Sequence, residues 1–276
     1  MPTYLTFGDD IFSLITNDTI YGLAGNDSLT DLTTGSNHIF GNSGNDTLSG
    51  RSRDTLVGGQ GNDFLEVGLT DDNRLFGGVG DDKLFTTGMN DSLYGGSGND
   101  TLDSGEFGGE NLLIGGAGND VLFTDFNYSG TLIGGLGNDD LSVPTSIGNN
   151  WLIGVALLRP NPGVGEVDTL TGGIGSDTFV LGTSATAFYD DGNSQTAGTS
   201  DYAIIVDCQN EGTDHDFIQL HGTPTDYVLG TSPIPGLSGT AIYLNNPLVG
   251  PDELIAIVQG AEFPGFTLNS SWVNYV

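Results

Sequence analysis

Gly95-Gly-Ser-Gly-Asn-Asp100-Thr-Leu102 is one copy of a unit that recurs along much of the chain. Copies of the pattern Gly-Gly-x-Gly-Asn-Asp-x-Leu, some with one or two changes, begin at Gly22, Gly41, Gly58, Gly77, Gly95, Gly115, Gly134 and Gly172. Their aspartates are spaced by 19, 17, 19, 18, 20, 19 and then 38 residues. A nearly constant period is typical of a solenoid. We interpret the interval of 38 as two turns, one of which has lost its glycine-rich loop.

Each unit carries the oxygen ligands that calcium prefers. Glycines permit positive φ angles, so a tight turn can aim its carbonyl oxygens at one point. The aspartate adds an anionic oxygen, and Ca²⁺ takes about six to eight oxygens. One loop supplies too few, so we expect several ions, each between successive turns. The predicted ligands are Asp27, Asp46, Asp63, Asp82, Asp100, Asp120, Asp139 and Asp177, with the carbonyls of Gly22, Gly41, Gly58, Gly77, Gly95, Gly115 and Gly134. The alternative is a turn whose Asn or Asp bonds its own backbone.

The unit resembles the hemolysin-type calcium-binding repeat, the RTX nonapeptide Gly-Gly-x-Gly-x-Asp-x-U-x, in which U is large and apolar. The resemblance covers roughly residues 8–180. It implies a parallel β-roll with calcium in its turns. It also implies type I secretion, directed by an uncleaved C-terminal signal.

A leaner unit lies between the glycine-rich loops, as in Asp54-Thr-Leu-Val57 and Asn73-Arg-Leu-Phe76. One turn is therefore predicted to hold two short strands and two loops. We predict an all-β fold, with a β-roll of about nine turns in residues 1–180. Because only one loop per turn keeps the calcium pattern, we expect one calcium side. Asn and Thr side chains, with a few ions at most, should hold the other side.

Residues 154–167 break the period and contain two prolines, which predicts a looped-out insertion. Short apolar runs separated by turns follow residue 180, and they predict an all-β cap in residues 181–276. Such a cap would close the open core of a solenoid. It resembles the C-terminal region that follows these repeats in cyanobacterial proteins, with Asp216-Phe-Ile-Gln-Leu220 at the matching motif. By that resemblance the cap carries the secretion signal.

Apolar residues follow the inward positions of the leaner unit. Side chains alternate across a strand, so these residues should point outward from one sheet. Contiguous exposed apolar patches usually mark a partner surface, whereas strand propensity alone is the alternative. We predict self-association or attachment to a surface assembly through Tyr21, Phe40, Phe76, Tyr94, Ile114 and Ile133.

The charge balance excludes several partners. The chain has 36 acidic and five basic residues, and its net charge is −31 at pH 7. So little positive charge argues against nucleic acid and anionic lipid. No stretch reaches the ~20 apolar residues of a membrane helix, and the first ten residues lack the features of a Sec signal. Cys208 stands alone, which predicts a buried apolar thiol and no disulfide.

No catalytic motif stands out. The histidines, His38, His215 and His221, do not form a His-Glu-x-x-His pair, and there is no Gly-x-Ser-x-Gly or phosphate loop. We therefore predict a non-enzymatic, secreted or cell-surface protein that folds on calcium. Two functions remain open. One is a structural, self-assembling surface protein, and the other is an adhesin or carbohydrate-binding module that uses the cap or the insertion.

Overall fold

The computed structural model describes residues 2–14, 18–68, 71–105, 109–125, 129–192, 197–209, 215–245, 251–259 and 267–276. The chain divides into two compact units, Met1–Thr131 and Leu132–Val276. Within the described ranges the regular elements are strands, apart from a 3-10 helix at Pro224–Asp226. None of these residues forms a helix long and apolar enough to cross a membrane. The all-β fold class and the parallel β-solenoid are thus confirmed.

In the first unit the described strands alternate between two parallel sheets. They are β1 (Thr3–Tyr4), β2 (Ile11–Leu14), β3 (Thr19–Ala24), β4 (Ser28–Asp31), β5 (His38–Ser43), β6 (Thr47–Gly50), β7 (Thr55–Gln60), β8 (Phe64–Val67), β9 (Arg74–Val79), β10 (Lys83–Thr86), β11 (Ser92–Ser97), β12 (Thr101–Asp103), β13 (Asn111–Ala117) and β14 (Val121–Phe123). The odd-numbered strands form one sheet and the even-numbered strands the other. We call the connections odd-to-even loops and even-to-odd loops. The glycine-rich repeats of this unit lead into its odd-to-even loops.

The repeated leucines and isoleucines set the register of both sheets. Leu48 pairs with Leu65, and Leu65 with Leu84, along the even-numbered strands. Ile39 pairs with Leu56 along the odd-numbered strands. These side chains expose 1% of their surface or less. Burying each one stabilises the fold by about 1.5–3 kcal/mol, so the inward columns expected from the alternation of the strands hold each turn on the next.

The outward residues of the odd-numbered strands also lie in register. Tyr21 pairs with Phe40, and Phe76 with Tyr94. The ring centroids of Tyr21 and Phe40 are 4.9 Å apart, and those of Phe76 and Tyr94 are 4.8 Å apart, with nearly parallel planes. Because the rings stack on one another, each is only partly exposed. Tyr4 continues the stack on Tyr21 at 4.8 Å.

The second unit has parallel strands followed by an antiparallel pair of additions. Its strands in the described ranges are β15 (Gly130–Leu136, from residue 132 onward), β16 (Asp140–Ser142), β17 (Trp151–Val155), β18 (Val167–Thr171), β19 (Thr178–Val180), β20 (Tyr202–Val206), β21 (Phe217–Leu220), β22 (Tyr227–Thr231), β23 (Thr240–Leu244), β24 (Glu253–Val258) and β25 (Val273–Tyr275). Strands β16, β18, β20 and β24 are parallel neighbours. Strands β23 and β22 then add to β24 antiparallel.

The solenoid has about seven turns, slightly fewer than the nine expected. The regular loops end after β16, where longer connections precede β17 and β18. Beyond them, β24 is buried along its whole length, and Tyr202, Leu254 and Ile257 pack in one apolar cluster. Cys208 is a free, buried thiol, as its isolation in the sequence suggested. Burial raises the pKa of this thiol.

Candidate metal centre

The aspartates of the first unit's odd-to-even loops are buried in a row. Asp27, Asp46, Asp63, Asp82, Asp100 and Asp120 each expose 2% or less of their surface. A buried carboxylate is costly unless a cation or hydrogen-bond donors compensate it. The ion pairs found between described residues join Arg53 to Asp72 and Arg159 to Glu166, so they leave the charges of Asp46 and Asp82 without a basic partner.

One carboxylate oxygen of each aspartate ties two turns together. The backbone N–H of Asp46 donates to Oδ1 of Asp63 at 2.7 Å, and that of Asp63 donates to Oδ1 of Asp82 at 2.8 Å. The same bond recurs from Asp27 to Asp46, from Asp82 to Asp100 and from Asp100 to Asp120. Each bond spans one turn. The aspartates therefore bond the backbone of the preceding turn through Oδ1, so local turn formation alone does not explain their position.

The second oxygen, Oδ2, is the feature that points to a cation. It is buried and has no hydrogen-bond donor within the described chain in Asp27, Asp46, Asp63, Asp82 and Asp100. Leaving a buried acceptor unsatisfied costs about 1–3 kcal/mol, and more when the group is charged. Five such atoms at successive turns would together strain the fold severely unless something binds them.

The first glycine of each loop lets the backbone lie directly against this oxygen. A Cβ atom built on Gly58 would lie 2.2 Å from Oδ2 of Asp63 and 2.7 Å from the carbonyl oxygen of Gly77. A carboxylate of its own loop and a carbonyl of the next thus come close together at Gly58. The same carboxylate contact, at 2.1 to 2.3 Å, occurs at Gly22, Gly41, Gly77, Gly95, Gly115 and Gly134. Carboxylate and carbonyl oxygens from adjacent turns are the donor set that calcium requires.

Burial also raises the pKa values of these carboxyls. The pKa of Asp46 rises to about 6 and that of Asp82 to about 7, first because of desolvation and then because of neighbouring carboxylates. Desolvation likewise raises the pKa of Asp100 to about 6 and that of Asp120 to about 7. The inter-turn backbone bond offsets part of each shift. The column therefore disfavours bare negative charge and would be stabilised by a bound cation.

The even-to-odd loops satisfy their oxygens in another way. Nδ2 of Asn37 donates to Oδ2 of Asp31 at 2.8 Å, to Oγ1 of Thr33 at 2.8 Å and to the carbonyl of Gly35 at 2.9 Å. The backbone N–H of Asn37 donates to Oδ1 of Asp54 at 2.8 Å. The amide nitrogen thus lies among several oxygens and donates hydrogen bonds to them, so these oxygens do not need a cation. These bonds show the role expected for Asn and Thr side chains on this side.

Asparagine and aspartate alternate along the same ladder. The backbone N–H of Asp54 donates to Asn73 at 2.9 Å, that of Asn73 to Asp91 at 2.7 Å, and that of Asp91 to Asn111 at 2.8 Å, each time to Oδ1. This alternation halves the charge of the column.

A third ladder was not foreseen from the sequence. The residue before each repeat aspartate also bonds across turns. Oδ1 of Asn45 accepts from the backbone N–H of Asn62 at 2.9 Å, and Oδ1 of Asn26 accepts from that of Asn45 at 2.7 Å. The invariance of Asn or Asp at this position in the first unit was the available signal.

In the second unit the structure places two aspartates differently from the expectation. Asp168 is the second residue of β18 and follows the odd-to-even connection from β17, although its Asp-Thr-Leu sequence is that of the leaner unit at Asp54. Its Oδ1 accepts from the backbone N–H of Asp139 at 2.8 Å. Its Oδ2 accepts from the hydroxyl of Tyr189 at 2.7 Å. Tyr189 is fully buried, so a neutral hydroxyl fills the place beside this carboxylate.

Asp177 lies on the opposite side of the turn, in the even-to-odd loop between β18 and β19. Its Oδ1 accepts from both the backbone and the side-chain N–H of Asn150 at 2.9 Å, and its Oδ2 accepts from the backbone of Gly173 at 3.0 Å. The interval of 38 residues had suggested the same side as Asp139. The connections before β17 and β18 are longer than regular loops, and they shift the glycine motif by half a turn.

A family model for the RTX calcium-binding nonapeptide repeat matches residues 6–30, 32–65, 67–88, 76–108, 107–126 and 163–183. Together these segments cover just over half of the 276 residues. A search of the curated proteins gave no match. The family is structural and calcium-binding rather than enzymatic. With the repeats on a β-solenoid whose loops present the oxygens calcium needs, the chain belongs to the RTX calcium-binding nonapeptide repeat family and is a calcium-binding β-roll protein.

Proposed function

We propose that this chain is an extracellular structural protein that folds when calcium fills its odd-to-even loops. The observation that carries the proposal is the row of buried Oδ2 atoms without donors. The proposed ligands are the aspartates Asp27, Asp46, Asp63, Asp82, Asp100, Asp120 and Asp139, with the carbonyls of the first glycines of their loops. Both oxygens of Asp177 already accept hydrogen bonds, so an ion there would have to displace a donor.

The proposed location follows from the calcium concentration. Extracellular modules bind calcium at roughly 0.1–1 mM, which far exceeds cytosolic calcium. Ion binding then supplies folding free energy only outside the cell. RTX repeats are typical of secreted proteins, which supports export of this chain. A net charge of −31 would keep the ion-free chain expanded through self-repulsion.

We further propose that a second copy of the chain docks on the outward apolar row of the odd-numbered strands. The stacked rings of Tyr21 with Phe40 and of Phe76 with Tyr94 support this. The neighbouring outward residues carry no carboxylate, and they include Arg74 and Thr55. This face thus escapes the repulsion that opposes contact elsewhere on an acidic chain. Ile114 and, in the second unit, Ile133 belong to the same predicted row.

The alternative, an adhesin or carbohydrate-binding module, would use the cap or the insertion, and the stacked rings of the outward apolar row do not offer it a second site. Sugars stack on the open faces of aromatic rings, whereas these rings cover one another's faces with planes 5° to 9° apart. They therefore present mainly edges to solvent.

The test is a calcium titration followed by far-UV circular dichroism and light scattering on the same samples. We expect strand signal to appear with calcium, followed by an increase in mass. The double variant Phe76→Lys with Ile114→Lys should fold on calcium but stay monomeric, because charge is disfavoured at an interface centre. Full strand signal without calcium would refute the folding proposal. A calcium-loaded wild type that stays monomeric would refute the assembly proposal and favour the binding-module alternative.

A further inference from the structure

Three carboxylates meet in the second unit, outside the glycine-rich repeats. They belong to Asp191, to Asp201 just before β20, and to Glu253 at the start of β24. One oxygen of each lies within 4.8 Å of the others. Asp191 and Asp201 are ten residues apart, Glu253 lies 52 residues beyond Asp201, and the three follow no repeat spacing. Their meeting is therefore a product of the fold.

Two of the three carboxylates are deeply buried. Asp201 exposes 1% of its surface and Glu253 exposes 6%. Oε1 of Glu253 is buried and has no hydrogen-bond donor among the described residues. Asp201 is better satisfied, since Ser200 Oγ donates to its Oδ1 at 3.1 Å. The unpartnered oxygen thus belongs to one of the two buried carboxylates of the cluster.

A glycine lies beside the unpartnered oxygen, as in the solenoid loops. A Cβ atom built on Gly198 would lie 2.4 Å from Oε1 of Glu253, and Gly198 has a φ of +57°. The backbone N–H of Leu254 donates to the carbonyl of Ala197 at 3.2 Å, which holds this segment against β24. The backbone at Gly198 thus lies so close to the carboxylate of Glu253 that no side chain would fit between them.

No basic side chain compensates the cluster. The charged groups that act on Glu253 are Asp191, Asp201 and Asp190. Burial first, and these carboxylates second, raise the pKa of Glu253 to about 8. The one Lys or Arg in the sequence of this unit, Arg159, donates to Glu166 at 2.9 Å.

We infer that Asp191, Asp201 and Glu253 bind one calcium ion, separate from the ions of the repeats. Oxygens that share a calcium at about 2.3–2.6 Å lie no more than about 5 Å apart, and the cluster meets this limit. All three ligands are hard oxygens without histidine or cysteine, which disfavours zinc. The ion would join the segment at residues 190–192 to β20 and β24. It would thereby hold these two parallel strands together.

The test counts calcium ions per full-length chain by equilibrium dialysis. Glu253→Gln removes one charge at nearly constant shape, and we expect it to bind one ion fewer than the wild type. Asp207→Asn is the matched control, because Asp207 is exposed, follows β20 and also loses one charge. The control should keep the wild-type number of ions. Asp201→Asn is the second cluster variant, to be used if Glu253→Gln does not fold.

A second measurement separates this site from the repeats. In saturating calcium Glu253→Gln should melt at a lower temperature than Asp207→Asn, since it loses the ion that joins β20 to β24. Loss of one ion with the remaining ions retained supports a calcium site at Asp191, Asp201 and Glu253 even if the repeat ligands are assigned wrongly. An unchanged ion count in both cluster variants would overturn the inference, and it would mean that Glu253 is simply protonated.

Discussion

The two sides of each solenoid turn use the same ladder but differ in how they neutralise it. In both, a side-chain Oδ1 accepts a backbone N–H from the preceding turn, as in Asp63 with Asp46 and Asn73 with Asp54. At the ladder position the odd-to-even loops of the first unit carry aspartate, and Oδ2 has no donor among the described residues in Asp27, Asp46, Asp63, Asp82 and Asp100. The even-to-odd loops alternate aspartate with asparagine, whose amide supplies the donors. Dependence on calcium therefore follows from the second polar atom of the side chain, which is Oδ2 in aspartate and Nδ2 in asparagine. The ladder of Oδ1 bonds is common to both sides of the turn.

The largest effect is expected when the odd-to-even loops are given the alternation of asparagine and aspartate that the even-to-odd loops have. The triple variant Asp46→Asn, Asp82→Asn and Asp120→Asn would make this column alternate as well. Each new asparagine keeps its Oδ1 for the ladder and adds a donor. We expect strand signal in chelator, where the wild type has lost it, and fewer bound calcium ions. Circular dichroism and equilibrium dialysis measure both.

The matched control is the triple variant Asp71→Asn, Asp72→Asn and Asp81→Asn, which removes three charges outside the buried column. If this control also folds in chelator, net charge explains the calcium dependence, and the comparison of the two sides fails.

The next effect is the pH dependence of the calcium-free state. The folded-state pKa values of Asp46, Asp82, Asp100 and Asp120 lie at about 6 to 7, above the value of about 3.9 in an unfolded chain. Protonation therefore stabilises the fold fully below about pH 4, and this stabilisation is lost as pH rises through 6 to 7. By circular dichroism, calcium-depleted protein should therefore show more strand signal at pH 5 than at pH 7.5.

With saturating calcium the order should reverse, because protons compete with the ion for the same oxygens. Equal strand signal at both pH values without calcium would argue that these carboxyls are solvated.

Asn37→Asp tests the even-to-odd side. It replaces an amide that makes several hydrogen bonds with a carboxylate facing Asp31 and Asp54. The loss of buried donors and the added repulsion should lower the free energy of unfolding by about 3 kcal/mol. Urea unfolding in saturating calcium measures this. Asn90→Asp, at an exposed position of the even-to-odd loop between β10 and β11, is the control and should change stability little.

The smallest effect is expected at Tyr189, whose hydroxyl satisfies Asp168 in the second unit. Tyr189→Phe keeps the ring and removes the donor, so Oδ2 of Asp168 would resemble the orphaned atoms of the first unit. At the lowest calcium concentration that folds the wild type, we expect the free energy of unfolding to fall by about 1–3 kcal/mol. Saturating calcium should recover part of this loss. A variant as stable as the wild type in both conditions would show that this hydroxyl does not replace an ion.

The features that repeat along the chain could be predicted from the amino-acid sequence. The period of the glycine loops, the inward columns through Leu65 and Ile39, and the calcium-binding family all follow from local patterns. A solenoid turn contacts mainly its neighbours, so a residue's position within the unit largely decides its surroundings. Alternation along each strand predicted the outward row through Tyr21 and Phe40 for the same reason.

Tertiary structure decided what happens where the period breaks. The side of the turn on which Asp177 lies depends on connections whose path no repeat specifies. Tyr189 reaches Asp168 across 21 residues, and Glu253 meets Asp191 and Asp201 only because β24 pairs beside β20. These contacts join segments without a common spacing. Spacing can place residues on a turn, but the satisfaction of a buried oxygen depends on whichever distant atoms the fold brings to it.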